Sequence, residues 1–231
     1  MRLNSTLLLS LSLGLAACGG SSNDSADETM PDGDEVRYRL TFNASWSAQT
    51  FPTNFPSGPH FSPVIGATHN DQDVLWARNQ ISTPGIEQVA ETGATSTYRS
   101  ELEVKVAEGN VDNIFQGSSF TSPGSSSVEF SVNLTHSRVS AISMIAPSPD
   151  WFVGIRDIDL YEGGEWAERL EFDLPLYDSG TDTGAQFGSA NSDGGSGMIE
   201  LLTSQPEDTD ISAGIHRNSG DHVGRFIIQR I

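Results

Sequence analysis

An all-β fold, an antiparallel β-sandwich of about eight strands with one short helix, is what this 231-residue chain predicts. Three observations carry that expectation. Apolar and polar residues alternate with period two in segment after segment, the mark of a strand with one buried face. Hydrophobic residues make up only 36%, with 23 glycines and 11 prolines, a composition suited to many short elements joined by turns. Clusters of Gly, Pro, Ser and Asn separate the alternating segments, as at Ser118–Ser127 and Ser189–Gly197.

In order along the chain, Val36–Phe42 places Val36, Tyr38, Leu40 and Phe42 on one face of a strand. Thr83–Gly93 breaks the alternation: Ile86, Val89 and Ala90 are helically spaced between Pro84 and Gly93, a start and a stop signal, and this is the one helix expected. Glu101–Val106 alternates again and reads as a strand, as does Val128–Leu134. Ser140–Ala146 is more uniformly apolar and reads as a central strand. Leu170–Leu174 and Arg225–Ile231 supply the last two strands.

The N-terminus reads as an export signal. Arg2 precedes an apolar run, Leu7–Ala17, that is too short to span a bilayer, which takes ~20 apolar residues. Leu15-Ala16-Ala17-Cys18 resembles the bacterial lipobox, in which the signal is cut before a cysteine that then carries lipid. Cys18 is the only cysteine, so no disulfide forms within this sequence. The domains expected are therefore a lipoprotein signal peptide over 1–18, a disordered acidic linker over 19–35 and a folded domain over 36–231. With Gly19 rather than Asp after the cysteine, an outer-membrane lipoprotein of the bacterial cell envelope is expected.

The formal net charge is −19. Nucleic acid is excluded as a partner, because phosphate binding needs clustered Lys and Arg. Divalent cations are favoured, since hard cations take oxygen ligands and carboxylates are the strongest available. Two tripeptides, Asp178-Ser179-Gly180 and Asp182-Thr183-Gly184, each have the form found in aspartic proteases. Such enzymes bring two carboxylates from separate loops to within ~3 Å, whereas these aspartates share one short loop. Two other readings stay open on spacing alone. Gly180 permits a sharp turn that points both carboxylates inward, with Asp150 (178 − 150 = 28 residues earlier) joining them around a metal. Alternatively the aspartates make Asx-turns. His60 and His69, with Asp71 and Asp73 close by, offer a weaker zinc pattern that lacks the His-Glu-x-x-His spacing. No Gly-x-Ser-x-Gly, P-loop or dinucleotide fingerprint is present, and no catalytic residue is assigned.

Taken together, Tyr38–Phe42, Trp46-Ser47, Phe51-Pro52, Phe55-Pro56, His60–Ser62, Ile65–His69, Trp76, Ala90–Gly93, the block Ile142–Gly154 (ISMIAPSPDWFVG), Trp166 and Tyr177–Gly184 (YDSGTDTG) resemble the spondin N-terminal domain over Val36 to Asn191. The resemblance implies an eight-stranded antiparallel sandwich that binds one Ca²⁺ through loop aspartates. The motif positions correspond to Asp150, Asp178 and Asp182. The cysteines of animal members are absent, and Phe61 stands where the family has Trp before Ser. The function expected is a cell-envelope lipoprotein displaying a calcium-binding domain for adhesion or ligand binding. Its partner is expected to be an envelope or extracellular protein or a glycan, and its membrane contact the lipid on Cys18. Trp151 reads as a core or loop-packing residue or, alternatively, as exposed beside the cation and touching a ligand. The alternatives in function are a metal-assisted hydrolase using the acidic loops and a purely structural envelope protein.

Overall fold

The computed structural model describes residues 35–231. The expected signal peptide, Cys18 and all but the last residue of the linker lie outside the described residues. In chain order the elements are β1 (Val36–Ala44), β2 (His60–Phe61), β3 (Ile65–His69), α1 (Pro84–Thr92), α2 (Ser96–Ala107), β4 (Val111–Gln116), β5 (Phe120–Thr121), β6 (Gly124–Val132), β7 (Arg138–Ala146) and β8 (Trp151–Asp159). They continue with β9 (Tyr161–Glu162), β10 (Glu165–Trp166), β11 (Arg169–Asp173), β12 (Leu176–Asp178), β13 (Glu200–Leu201), β14 (Ile211–Ser212), β15 (Ile215–His216) and β16 (Gly224–Arg230).

All but one of the segments that alternate in the sequence assemble into one sheet, ordered β11-β16-β1-β6 and antiparallel throughout. Its inner face carries Tyr38, Leu40, Phe42, Phe130, Phe226 and Ile228, all buried. Its outer face carries the matching charges: Arg37 and Arg39 pair with Glu129, and Arg225 with Glu171 and Asp173. A facing sheet runs β13-β12-β8-β7, and β7 then pairs with both β2 and β3, which lead to β5 and β4. Burial between the two sheets brings Phe42 edge-on to Phe61, with ring centroids 4.5 Å apart, and stacks Phe115 on Phe130.

The uniform apolarity of β7 has a direct cause. Val139, Ala141 and Ile145 face the sandwich core, whereas Ile142 joins a second cluster that lies under the helices. A strand covered on both faces has no solvent side to alternate with. Helix α1 forms where its end signals place it. The Thr83 side chain accepts from the Ile86 N–H, Pro84 opens the first turn, and Gly93 closes the last at φ 70° while donating to the Val89 carbonyl.

Glu101–Val106 is not a strand; it lies inside α2, so the described residues hold two helices where one was expected. Tertiary contacts override the alternation. Tyr98 and Leu102, four residues apart, bury one face of α2 against α1, whereas Val104 is 58% exposed. The Glu101 carboxylate, which would decorate the outside of a strand, instead accepts from the Gly85 N–H at 2.7 Å and the Thr83 hydroxyl at 2.6 Å. It satisfies donors at the N-terminus of α1 that the helix itself leaves unpaired. Sandwich plus helices form three layers, and β8 and β12 run side by side within the middle one.

Candidate metal centre

Strand pairing brings the three predicted aspartates to one end of the middle layer. Asp178 lies opposite Trp151 in the β12–β8 register, which sets Asp150, the residue before β8, beside the loop that follows β12. The Ser179 N–H donates to the Asp150 carbonyl at 3.1 Å and extends the ladder by one step. The two sequence-distant motifs PSPDW and YDSGTDTG are therefore neighbours because their strands pair.

Each Asp-x-Gly tripeptide is a turn. Asp178 Oδ1 accepts from the Gly180 N–H at 2.7 Å, and Asp182 Oδ1 accepts from the Gly184 N–H at 2.6 Å. Both are Asx-turns with the same two-residue reach. Gly180 is needed twice over. Its φ is 74°, and a Cβ there would come within 2.6 Å of the Met198 backbone.

Asp150 is different. Its side chain has 0% exposure, and Oδ2 accepts from the Thr181 N–H at 2.8 Å, the Asp182 N–H at 3.1 Å and the Ser179 hydroxyl at 3.1 Å. Three donors converge on one oxygen. The other oxygen, Oδ1, is buried and has no partner. The Asp178 carboxyl lies close enough to Asp150 for the two negative charges to act on each other. A carboxylate in such a place is costly unless a positive charge is near. Yet none of the Lys and Arg ion pairs among the described residues involves Asp150, Asp178 or Asp182.

The electrostatic consequence falls on the pair. Burial pushes Asp150 above the ordinary aspartate range, opposed by the N–H groups of Asp182 and Thr181. Burial, and next the Asp150 charge, push Asp178 up to about 7. Asp182 is 5% exposed, but both its oxygens serve the loop, Oδ1 at Gly184 and Oδ2 at the Ser192 N–H at 2.7 Å. Among the described residues, no three His, Cys, Asp or Glu side chains are gathered into a cage by themselves. Asp150 and Asp178 act on each other's charge, and Asp182 lies beside Asp150 with both its own oxygens engaged by the loop.

The donor set nevertheless fits a hard cation. A cavity of about 230 Å³ opens on Asp178, Gly180, Asp182 and Thr203. Asp150 does not line that cavity, but its unpartnered Oδ1 lies among the same loop residues, and the ionisable groups at this end of the layer are carboxylates, the ligand type of Ca²⁺ rather than the His and Cys set of Zn²⁺. Trp151 is not a rim residue. It is 1% exposed and meets Phe187 edge-on at 4.9 Å.

The zinc pattern does not assemble. His60 pairs with Ala146 and His69 with Arg138, at opposite ends of β7. Eight residues of strand separate those positions, ~27 Å. His69 is a buried structural residue. Its Nδ1–H donates to the Asn70 carbonyl, and its Nε2 accepts from the Ser140 hydroxyl at 2.9 Å.

One acidic residue escaped the sequence reading. Glu91, in the last turn of α1, faces Thr181, Asp150 and Asp182. The available signal was its position, since an acid in a final turn opposes the helix dipole and α1 has no basic residue there.

Without metal, the Asp178 carboxyl makes stability fall with pH. Its folded value lies near 7 and its unfolded value near ~3.9, so the folded state holds the extra proton between them, and stability is lost as pH rises through that window. His69, depressed by burial, works in the opposite direction below ~6.5, so a comparison with a variant isolates Asp178. In chelator, Asp178→Asn is expected to gain stability over the wild type as pH rises from 5 to 8, by on the order of 1 kcal/mol per pH unit within the window. Urea melts at four pH values check this. A gain that is constant with pH would contradict it.

Comparison with known proteins agrees with the architecture. The family model described as Spondin_N matches residues 36–222, about thirty residues beyond the end of the resemblance read from the sequence. Spondin-2 of Rattus norvegicus is 37% identical over 161 residues, 68% of this chain and 49% of that protein. Spondin-1 of Bos taurus is 34% identical over 166 residues, 68% of this chain and 20% of that protein. Spondin-1 of Xenopus laevis is 34% identical over 178 residues, 71% and 22% respectively. The chain thus spans half or less of the length of these relatives. On the extent of the family match and the identity to these relatives, the chain belongs to the Spondin_N family.

Proposed function

We propose that the protein is a cell-envelope lipoprotein displaying a calcium-stabilised spondin domain for adhesion or ligand binding. The observation that carries the reading is Asp150, a fully buried carboxylate with three donors on one oxygen and none on the other. Asp150 and Asp178 would hold the ion, with Asp182 shaping the loop and adding negative potential. A bound Ca²⁺ supplies the positive charge that the pair lacks and takes no chemical part. With it in place, the 178–198 loop is fixed against β8. Rigid loops at one end of a sandwich are a common platform for recognition. The partner would be an envelope or extracellular protein or a glycan. The lipid on Cys18, followed by the acidic stretch 19–35, would hold the domain at the outer membrane and let it stand off the surface.

Two measurements test the two halves. At Ca²⁺ a hundred times above Kd, binding stabilises the fold by ~2.7 kcal/mol, about 5–10 °C in melting temperature for a domain of this size. The Asp150→Asn variant is expected to lose that response. Superimposable melts in chelator and in excess Ca²⁺ would sink the calcium reading. For the anchor, mass spectrometry of the N-terminal peptide from the membrane fraction should find acylated Cys18. An intact Met1 or an unmodified Cys18 there would rule the anchor out.

A further inference from the structure

Helix α1 ends beside the aspartate pair. Gly93 turns the chain out of the helix at φ 70°, and two residues earlier Glu91 extends its side chain towards the 178–182 loop. Its carboxylate approaches the Thr181 side chain, the same residue whose N–H donates to Asp150. One of its oxygens, Oε1, is buried with no partner. The charges it meets are Glu87, Asp150 and Asp182, all negative. No Lys or Arg ion pair reaches it among the described residues. It also sits at the negative end of the α1 dipole.

The Thr181 side chain favours a carboxylate at this position, and the other local influences work against it. The helix terminus repels it, the neighbouring carboxylates repel it, and one oxygen is removed from water without compensation. The fully buried Asp150 presents a second unpartnered oxygen in the same neighbourhood, through Oδ1. Two orphaned carboxylate oxygens, contributed by different layers of the fold and flanking one loop, have a shared remedy in a single cation between them.

We propose that Glu91 is a further carboxylate of the cation site, so that the metal ties α1 to the β8 and β12 loops. The proposal extends the calcium reading and rests on it. Its chemistry is that of a hard divalent ion taking oxygen ligands from three segments: the residue before β8, the loop after β12 and the last turn of α1. Bridged in this way, α1 is fastened at its C-terminus by the ion and at its N-terminus by Glu101.

The test is Ca²⁺ titration calorimetry on the full chain, comparing wild type, Glu91→Gln and Glu87→Gln. Glu87 lies on the same helix and is exposed, so it controls for loss of a charge as such. Glu91→Gln is expected to weaken Ca²⁺ binding at least tenfold and Glu87→Gln less than twofold. In chelator, Glu91→Gln should melt at or above the wild-type temperature, because it removes an uncompensated carboxylate. A residue with a merely structural role would lower that temperature. If the wild type binds Ca²⁺ and the two variants match it, the inference about Glu91 fails and the calcium site stands. If the wild type shows no heat of binding, the calcium site itself fails and the inference goes with it.

Discussion

Burying a carboxylate with only half its hydrogen-bonding capacity met is the constraint on which this end of the molecule depends. Asp150 has no exposure, and a saturated Oδ2 beside an empty Oδ1. The donors on Oδ2 come from Ser179, Thr181 and Asp182, so the same side chain that creates the electrostatic problem also folds the 178–182 loop. Replacing Asp150 with an apolar residue would remove the charge but leave the Thr181 and Asp182 N–H groups unpaired, which is also costly. The loop needs the carboxyl group, and its charge is relieved only by a proton or by a cation that the described side chains do not provide.

The sandwich provides the means to hold that arrangement. The β7–β8 and β8–β12 pairings fix the position of Asp150 relative to Asp178 through backbone hydrogen bonds, so the approach of the two acids does not depend on their own interaction. Behind them Trp151 packs on Phe187, and Phe187 also meets Trp46 at 5.1 Å. Aromatic contacts of this kind exclude water and strengthen whatever electrostatics act in front of them. The outer face of the four-stranded sheet uses its arginines in ion pairs with Glu129, Glu171 and Asp173. The acidic excess is thereby left to the loops.

Much of this was legible in the residues, for identifiable reasons. Strands with one solvent face, such as β1 and β16, announce themselves by alternation, and α1 by its Thr83, Pro84 and Gly93 signals. The site aspartates stood out through the resemblance, whereas their spacing alone could not decide between turn and ligand. The structure shows why: Asp178 and Asp182 make Asx-turns, and Asp178 still belongs to the buried pair. Two features were not legible. Glu101–Val106 alternates like a strand, and only the demands of the α1 N-terminus and the burial of Tyr98 and Leu102 make it a helix. Glu91 gives no local hint of its neighbours, because Thr181 lies ninety residues away and meets it only through the packing of α1 on the middle layer.

The most direct test of the account is anomalous diffraction from crystals of the protein grown with Ca²⁺. An ion located ~2.3–2.6 Å from Asp150 Oδ1 and bonded to Asp178 is the predicted result. The account would be contradicted by a map with no anomalous peak near Asp150, in which a proton shared between the Asp150 and Asp178 carboxyls, or an ordered water, fills the place assigned to the metal.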